Sequence, residues 1–221
     1  MDTLQVESTA RPAAAPRLRA DATRNRERII TAARELFVEN GATVPLDDIA
    51  KRAGVGNATL YRNFPDRSAL VRAVALSVMG RILVRAQQAL ADDRDSFEAL
   101  CDYVRAASEE RIGALCSLLS EYVDLQHDEQ LLAARTELEQ AVEDLMARAR
   151  LDGRLRPDVA PGDLFLALAQ LTRPLPGTGC LKLDLSTLFE RNLIVFLDGL
   201  RAPAISALPG RAVTTEDLRP S

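Results

Sequence analysis

Apolar residues recur along most of this chain at intervals of three and four positions, which is the spacing of one face of an α-helix. Ile29, Ala33 and Phe37 belong to one such stripe, which predicts a helix from about Thr23 to Asn40. The longest pattern of this kind begins after Asp66 and lasts to about residue 90. No segment shows the alternation of apolar and polar residues that is typical of a strand. The pattern therefore predicts an all-α protein.

Glycines, prolines and paired aspartates interrupt the apolar pattern and divide the rest of the chain into shorter segments. Seven further helices are predicted: Leu46–Ala53, Asn57–Asn63, Ser96–Glu110, Gly113–Gln126, Glu129–Leu151, Gly162–Thr172 and Ser186–Leu200. Residues 1–20 have no apolar period, and residues 203–221 are rich in proline. The sequence therefore predicts a disordered basic arm at one end and a disordered tail at the other.

Local signals predict where several of these helices begin and end. Asp21 or Thr23 can cap the first helix with a side-chain oxygen, and Gly41 can close it in the left-handed conformation. Asp66 is placed to cap the long fourth helix in the same way.

The composition is that of a soluble globular protein, with 47% apolar and 27% charged residues and no tryptophan. The apolar runs are shorter than the roughly 20 residues that span a bilayer, and the first twenty residues lack the apolar core of a signal peptide. We therefore expect a cytoplasmic protein with no membrane partner. The three cysteines have no CxxC spacing and are expected to be reduced and buried, with redox sensing as the alternative: Cys101, Cys116 and Cys180.

Charge is distributed unevenly along the chain. Residues 11–72 contain 12 basic and 7 acidic side chains, whereas residues 73–221 contain 16 basic and 23 acidic ones. This asymmetry indicates that the N-terminal third contacts a polyanion and that the acidic remainder is repelled by it.

The segment from Leu46 to Phe64 has the pattern of a helix-turn-helix. Two short helices are joined by a tight turn, Gly54-Val55-Gly56, and small or apolar residues lie where the helices must cross. The second helix is polar on its outer surface, where it carries amides, a hydroxyl and a guanidinium. These are the groups that contact base edges and phosphates.

Residues 46–74, LDDIAKRAGVGNATLYRNFPDRSALVRAV, resemble the DNA-binding domain of the TetR family of bacterial transcriptional regulators. The resemblance is carried by IAxxAGV followed by TLYxxF, and it extends from about Arg24 to Val74. Beyond Val74 the likeness is only architectural. It implies an N-terminal three-helix DNA-binding domain over residues 21–66, followed by a helical ligand-binding and dimerisation domain over residues 67–202.

The resemblance assigns DNA contacts to individual positions. In the family, side chains of the recognition helix face the major groove or contact phosphates. The matching positions here are Asn57, Ala58, Thr59, Tyr61, Arg62 and Asn63. Arg67, at the start of the fourth helix, matches a further phosphate contact. From their charge, Lys51 and the arm containing Arg24 are expected to add phosphate contacts. Three of these residues have ordinary alternatives: Tyr61 as a packing residue, Arg62 as a solvated charge and Asn63 as a helix cap.

A ligand pocket among helices four to eight is also implied by the resemblance. Its candidate lining residues are Met79, Leu83, Phe97, Cys101, Tyr103, Cys116, Leu119, Tyr122, Met146 and Phe165. Each of them is equally suited to an ordinary core position. The expected ligand is a small apolar or amphipathic molecule.

The resemblance also implies that two apolar helices near the C-terminus pair with a second copy of the chain. One helix-turn-helix contacts too few base pairs for useful specificity, so a homodimer on a palindromic operator is expected. The candidate interface residues are Leu164, Leu168, Leu171, Leu188, Leu193 and Phe196. The alternative is that these residues complete the core of one protomer.

The sequence thus predicts a DNA-binding transcriptional regulator, with a repressor released by a small molecule as the favoured form. The alternative is a ligand-independent or weakly specific DNA-binding protein controlled by a protein partner. An enzyme is not expected, because His127 is the one histidine and lies beside no nucleophile motif. A metal site of His127 with Asp124 and Asp128 would lack soft ligands, and no cofactor is expected.

Overall fold

A computed structural model describes residues 15–41, 43–124, 127–173 and 185–219. Over these residues the chain forms nine α-helices: α1 (Ala15–Asn40), α2 (Leu46–Ala53), α3 (Asn57–Asn63), α4 (Arg67–Leu90), α5 (Ser96–Glu109), α6 (Ile112–Tyr122), α7 (Glu129–Leu151), α8 (Pro161–Leu171) and α9 (Leu185–Gly199). A 3₁₀ turn follows at Glu216–Leu218. The prediction of an all-α fold is confirmed, since the described ranges contain no strand beyond one isolated bridge.

Helices α1–α3 form a small head, residues 15–66, in which α1 packs against both shorter helices. Ile29 and Phe37 of α1, Ile49 of α2 and Leu60 of α3 are all buried. The apolar stripe that predicted α1 is therefore the face that holds the helix-turn-helix together. Burying side chains of this size stabilises the head by about 1.5–3 kcal/mol each.

Helix α1 begins eight residues earlier than the pattern predicted, at Ala15 rather than Thr23. Its burial starts only at Ile29, so its first 14 residues extend about 21 Å beyond the apolar stripe. Alanine and arginine are strong helix formers, and Pro16 lies in the first turn, where proline is tolerated. The prediction of disorder is thus wrong for residues 15–20, while residues 1–14 lie outside the described part of the chain.

Helices α4–α9 form the body, which starts at residue 67. The long helix α4 runs along α7 and also contacts α1, α5 and α6, so it connects the head to the centre of the body. Arg148 of α7 fixes the far end of α4 by donating from Nη1 to the Leu90 carbonyl oxygen at 2.8 Å and from Nη2 to that of Ala89 at 3.0 Å. Both carbonyls lie in the last turn of α4, and the Ala89 oxygen also accepts from Asp92 N at 3.4 Å.

The predicted disorder of the tail is wrong for residues 203–219, which lie along the body. Arg156 Nη2 donates to the Ser206 carbonyl oxygen at 2.6 Å, and Val213 N donates to Asp163 Oδ2 at 3.2 Å. The Arg156 side chain is itself buried and ion-paired to Asp158. Side chains from residues about fifty positions away thus satisfy the backbone of this segment, which a local pattern does not reveal.

Two of the predicted capping residues act as expected, and others do not. Gly41 has φ 78° and donates to the Phe37 carbonyl oxygen at 2.9 Å, and Asp66 Oδ1 accepts from Ala69 N at 2.8 Å, as expected. Asp21 and Thr23 cap nothing because both lie inside α1. Helix α6 ends at Tyr122, four residues before the predicted limit.

Among the helices that the structure describes, none is both long enough and apolar enough to cross a bilayer.

Candidate nucleic-acid interface

The turn between α2 and α3 is built around Gly54. Gly54 has φ 63° and ψ 39°, a left-handed conformation that favours glycine, and Val55 N closes the turn on the Ala50 carbonyl oxygen at 3.0 Å. Gly56 has φ −72°, and no atom lies within 4 Å of the place where its Cβ would be. The tight turn therefore requires glycine at Gly54 and not at Gly56.

Helix α3 presents a polar face to solvent. Leu60 is fully buried and anchors the helix, whereas Asn57, Ala58 and Arg62 are exposed and Tyr61 is 48% exposed. The exposed groups are an amide, a guanidinium and a phenol on one short rigid helix. Such a surface matches the donors and acceptors of a DNA major groove and the phosphates beside it.

Thr59 and Asn63 are less available than the rest of α3, since both are half-buried. Asn63 Nδ2 donates to the Thr59 carbonyl oxygen at 2.8 Å, one turn earlier in the same helix. This bond supports the interpretation of Asn63 as a residue that ends the helix. Its contact with DNA stays a prediction, as does that of Thr59.

Two arginines of α1 hold its basic N-terminal half against the helix-turn-helix. The Arg26 guanidinium lies 4.7 Å from the centre of the Phe64 ring, and Arg28 Nη2 donates to the Gly54 carbonyl oxygen at 3.2 Å. These contacts bring the basic helix next to α3. Arg28 was not among the predicted site residues, because its partner lies 26 positions away and no local pattern indicates it.

The basic residues of the head differ in how they are paired. Arg52 bonds to Glu35 at 3.2 Å and to Glu39 at 2.9 Å, and Arg24 is paired with Asp21. Lys51 and Arg62 are exposed, and within the described residues neither has an ion-pair partner. Lys51 and Arg62 can therefore bind a polyanion without first breaking an ion pair within the protein.

Arg67 lies at the junction of head and body. Its Nη2 donates to the Val44 carbonyl oxygen at 2.6 Å, and its guanidinium lies 5.8 Å from the centre of the Tyr122 ring. The side chain thus joins the α1–α2 loop to the end of α6. A phosphate contact from Arg67 would have to share the same guanidinium, and it stays a prediction.

Two family models match most of this architecture. Residues 29–74 match the model of bacterial regulatory proteins, tetR family, and residues 95–202 match the C-terminal domain of SbtR-like transcriptional regulators. Among solved structures, a TetR transcription regulatory protein of Mycobacterium vanbaalenii is 35% identical with a TM-score of 0.58. That alignment covers 84% of this chain and 99% of the other. The chain belongs to the TetR family.

Further relatives agree with this TetR-family assignment. The TetR transcriptional regulator of Streptomyces coelicolor is 32% identical with a TM-score of 0.59, over 81% of this chain and 99% of that structure. An HTH-type transcriptional regulator of Staphylococcus aureus is 34% identical over 84 residues, which is 38% of this chain and 45% of that protein. The match thus spans less than half the length of the curated relative.

The residues assigned to a ligand pocket lie in or beside the core of the TetR-family body. Five of them are buried: Phe97, Cys101, Tyr103, Leu119 and Met146. Four others pack against this core and are partly buried: Met79, Leu83, Tyr122 and Phe165. The side chain of Cys116 lies outside the described part of the structure. These positions suit a core and a pocket equally, so the pocket stays a prediction.

The cysteine chemistry is clear only for Cys101. Burial raises the pKa of the Cys101 thiol to about 11, so the thiol is protonated near neutral pH. A protonated, buried thiol is a poor nucleophile and a poor redox sensor. The structure thus favours the packing role for this residue, while Cys180 lies outside the described residues.

The structure changes the choice of residues for a dimer interface. Three of the predicted residues are buried within the protomer: Leu164, Leu168 and Leu193. The other three are partly buried: Leu171, Leu188 and Phe196. Because Leu164, Leu168 and Leu193 are buried in the core of the protomer, they have little surface left for contact with a partner.

The outer face of α8 and α9 carries a different apolar set. Leu166 and Ile194 are exposed, and Val195 is 72% exposed. These residues are the better candidates for contact with a second copy.

His127 pairs with a neighbouring carboxylate. It lies exposed on the surface, with Nδ1 2.8 Å from Asp124 Oδ2. Over the ranges that the structure covers, no group of three potential ligands is close enough to hold a metal ion.

Proposed function

We propose that this TetR-family chain is a sequence-specific transcriptional regulator that acts as a repressor by occupying a palindromic operator as a homodimer. The observation that carries the proposal is the polar, solvent-facing surface of α3 on a buried Leu60 anchor. Family membership supplies the context in which such a helix contacts DNA.

Each exposed group of the head has a role in this proposal. Arg62 has a free guanidinium that can pair bidentately with O6 and N7 of a guanine, which discriminates by about 1–3 kcal/mol. Asn57 offers an amide to a neighbouring base. Tyr61 and Lys51 donate to phosphates and set the register of the head on the duplex, without reading sequence.

Dimerisation follows from the size of the head. A seven-residue recognition helix spans only a few base pairs, so specificity requires two heads on one duplex. Leu166 of α8 and Ile194 and Val195 of α9 are the exposed apolar residues that a second copy would cover. A two-fold dimer would place its two recognition helices on two inverted half-sites.

Release from DNA is proposed to start in the body. Helix α4 is continuous from Arg67, at the head, to Leu90, deep in the body. A small apolar or amphipathic molecule that shifts α4 would therefore also shift the head. Such a ligand weakens DNA binding only if it prefers the shifted form, which makes the effect a coupling between two sites.

The proposal is tested by selecting bound duplexes from a random pool with the purified protein. We expect a palindrome whose half-site centres are about one helical turn, 10–10.5 base pairs, or a multiple of it apart. A pool that shows no enriched sequence would contradict the proposal and favour weakly specific binding. The selected duplex then serves as the probe for a panel of apolar and amphipathic compounds, of which an inducer must lower DNA affinity.

A further inference from the structure

A partly buried carboxylate joins the head to the body at the end of α5. Glu110 Oε2 accepts from Arg34 Nη1 of α1 at 2.8 Å and from Arg81 Nη2 of α4 at 2.8 Å. Arg81 Nε also donates to Glu110 Oε1 at 2.9 Å, and Arg81 Nη1 donates to Ser77 Oγ at 2.7 Å. One carboxylate therefore fixes a side chain of the head and a side chain of the body in a single geometry.

The surroundings of Glu110 make this link strong. Its side chain is only 16% exposed, so solvent and salt screen it less than they screen a surface pair. Burial alone would raise the pKa of Glu110, but Arg81 and Arg34 outweigh burial and hold the pKa below its usual value. The carboxylate is thus ionised whenever the protein is near neutral pH.

The residues around Glu110 also contact helices on the other side of the body. We call residues 109–113 the α5–α6 corner. The Arg111 guanidinium lies 5.2 Å from the centre of the Phe189 ring of α9, and Gly113 N donates to Thr172 Oγ1, at the end of α8, at 2.7 Å. The corner therefore contacts α1 of the head on one side and the proposed dimer helices on the other.

A second link lies at the opposite end of α6, where Arg67 joins the Val44 carbonyl oxygen to the Tyr122 ring. Helix α6 has 11 residues, so the two links are about 16 Å apart along its axis. The head is also held by the packing of α1 against α4 and α6. Two separated links fix its orientation as well as its position.

We propose that Glu110 is a positioning residue for DNA reading: by holding Arg34, it sets the angle between head and body and so the separation of the two recognition helices in the dimer. The inference rests on the proposed function, since it requires a dimer on a palindromic operator. Glu110 contacts no DNA in this proposal and acts only through Arg34 and α1. Its effect is therefore on the spacing of half-sites and not on their sequence.

The test is a series of operators derived from the selected palindrome by inserting or deleting one base pair between the half-sites. Each step moves one half-site by about 3.4 Å and rotates it by about 35°. Glu110→Gln removes the charge that holds Arg34 while keeping the size of the side chain. Glu98→Gln is the matched control, because Glu98 lies at the other end of α5 and bonds to Arg201 of the body at 2.7 Å.

We expect wild type and Glu98→Gln to lose about tenfold or more in affinity at one added base pair, and Glu110→Gln to lose less than about threefold. Affinity for an isolated half-site should be the same for all three proteins. Arg34→Gln removes the same link from the head side, so it should also tolerate altered spacing. The double variant should be no more tolerant than either single one, since both changes remove one interaction.

The outcomes separate this inference from the function on which it rests. Suppose that wild type binds the palindrome. The positioning role is then overturned if Glu110→Gln keeps the wild-type spacing preference, or if Glu98→Gln loses that preference as much as Glu110→Gln does. The proposed function stands in both cases. If wild type binds no palindrome better than scrambled duplex, both are overturned. Thermal unfolding of each variant identifies a failure to fold, in which case Arg34→Gln decides the result.

Discussion

Arg62 and Lys51 are both exposed cations of the head, but they are expected to contribute to binding in different ways. Arg62 lies on the outer face of α3, where a guanidinium can reach base edges, whereas Lys51 lies on α2 beside it. The planar guanidinium of an arginine can form two hydrogen bonds to one base, whereas the flexible ammonium of a lysine acts as a point charge. We therefore expect Arg62 to contribute to sequence specificity and Lys51 to contribute to affinity for any duplex.

Arg62→Ala should therefore lower affinity for the selected operator by about 1–3 kcal/mol and relax the preference at one or two positions per half-site. Lys51→Ala should weaken binding to all duplexes alike and reduce the salt dependence by about one charge per protomer. Titration of both variants against the operator and single-base variants of it measures both effects. An unchanged base preference in Arg62→Ala would show that Arg62 does not read sequence.

The residues of α3 were predictable because their evidence is local. The buried Leu60 and the polar positions around it follow from a seven-residue pattern that matches a known motif. The link between Arg34 and Glu110 spans 76 positions, and each residue alone is an ordinary surface charge on a helix. No periodicity or spacing connects them, so only the folded chain identifies the pair.

At the level of elements, α6 approaches α8 closely at Gly113. Gly113 lies so near α8 that a Cβ built on it would overlap the Ala169 carbonyl oxygen and come within 2.9 Å of Thr172 Oγ1. Gly80, on the exposed side of α4, has no atom within 4 Å of the same position. The two glycines therefore provide opposite tests of one substitution.

Gly113→Ala should destabilise the protein by about 1–3 kcal/mol, because backbone on α8 has to move to admit the methyl group. Gly80→Ala should instead stabilise it by about 0.5–1 kcal/mol, since alanine has the higher helix propensity and nothing obstructs it. Denaturant unfolding of both variants gives the two free energies. Equal effects of the same sign would contradict the close α6–α8 packing.

Helix bounds were predictable where a local signal fixes them. Helices α2, α3 and α7 begin and end at the residues predicted for them. The start of α1 and the course of residues 203–219 were missed for different reasons. The first residues of α1 are helical through their helix propensity alone, without an apolar stripe. The course of residues 203–219 depends on hydrogen bonds to Arg156 and Asp163, which are distant in sequence.

For the whole molecule, charge and architecture agree. The head, residues 15–66, carries 9 basic and 7 acidic side chains, whereas residues 67–221 carry 18 basic and 23 acidic ones. A duplex would attract one end of the molecule and repel the other, which orients the body away from DNA. The exposed apolar residues of α8 and α9 lie on that body, so the proposed dimer contacts and the proposed DNA contacts use separate surfaces.

The central claim is that two copies of this chain read one specific duplex. The most direct test is the affinity of the purified protein for the selected palindrome and for a scrambled duplex, at two salt concentrations, with the stoichiometry measured on the palindrome. We predict two chains per duplex and a preference of about 10³ or more for the palindrome, with salt weakening both complexes. Equal affinity for the two duplexes, lost together as salt rises, would contradict the claim.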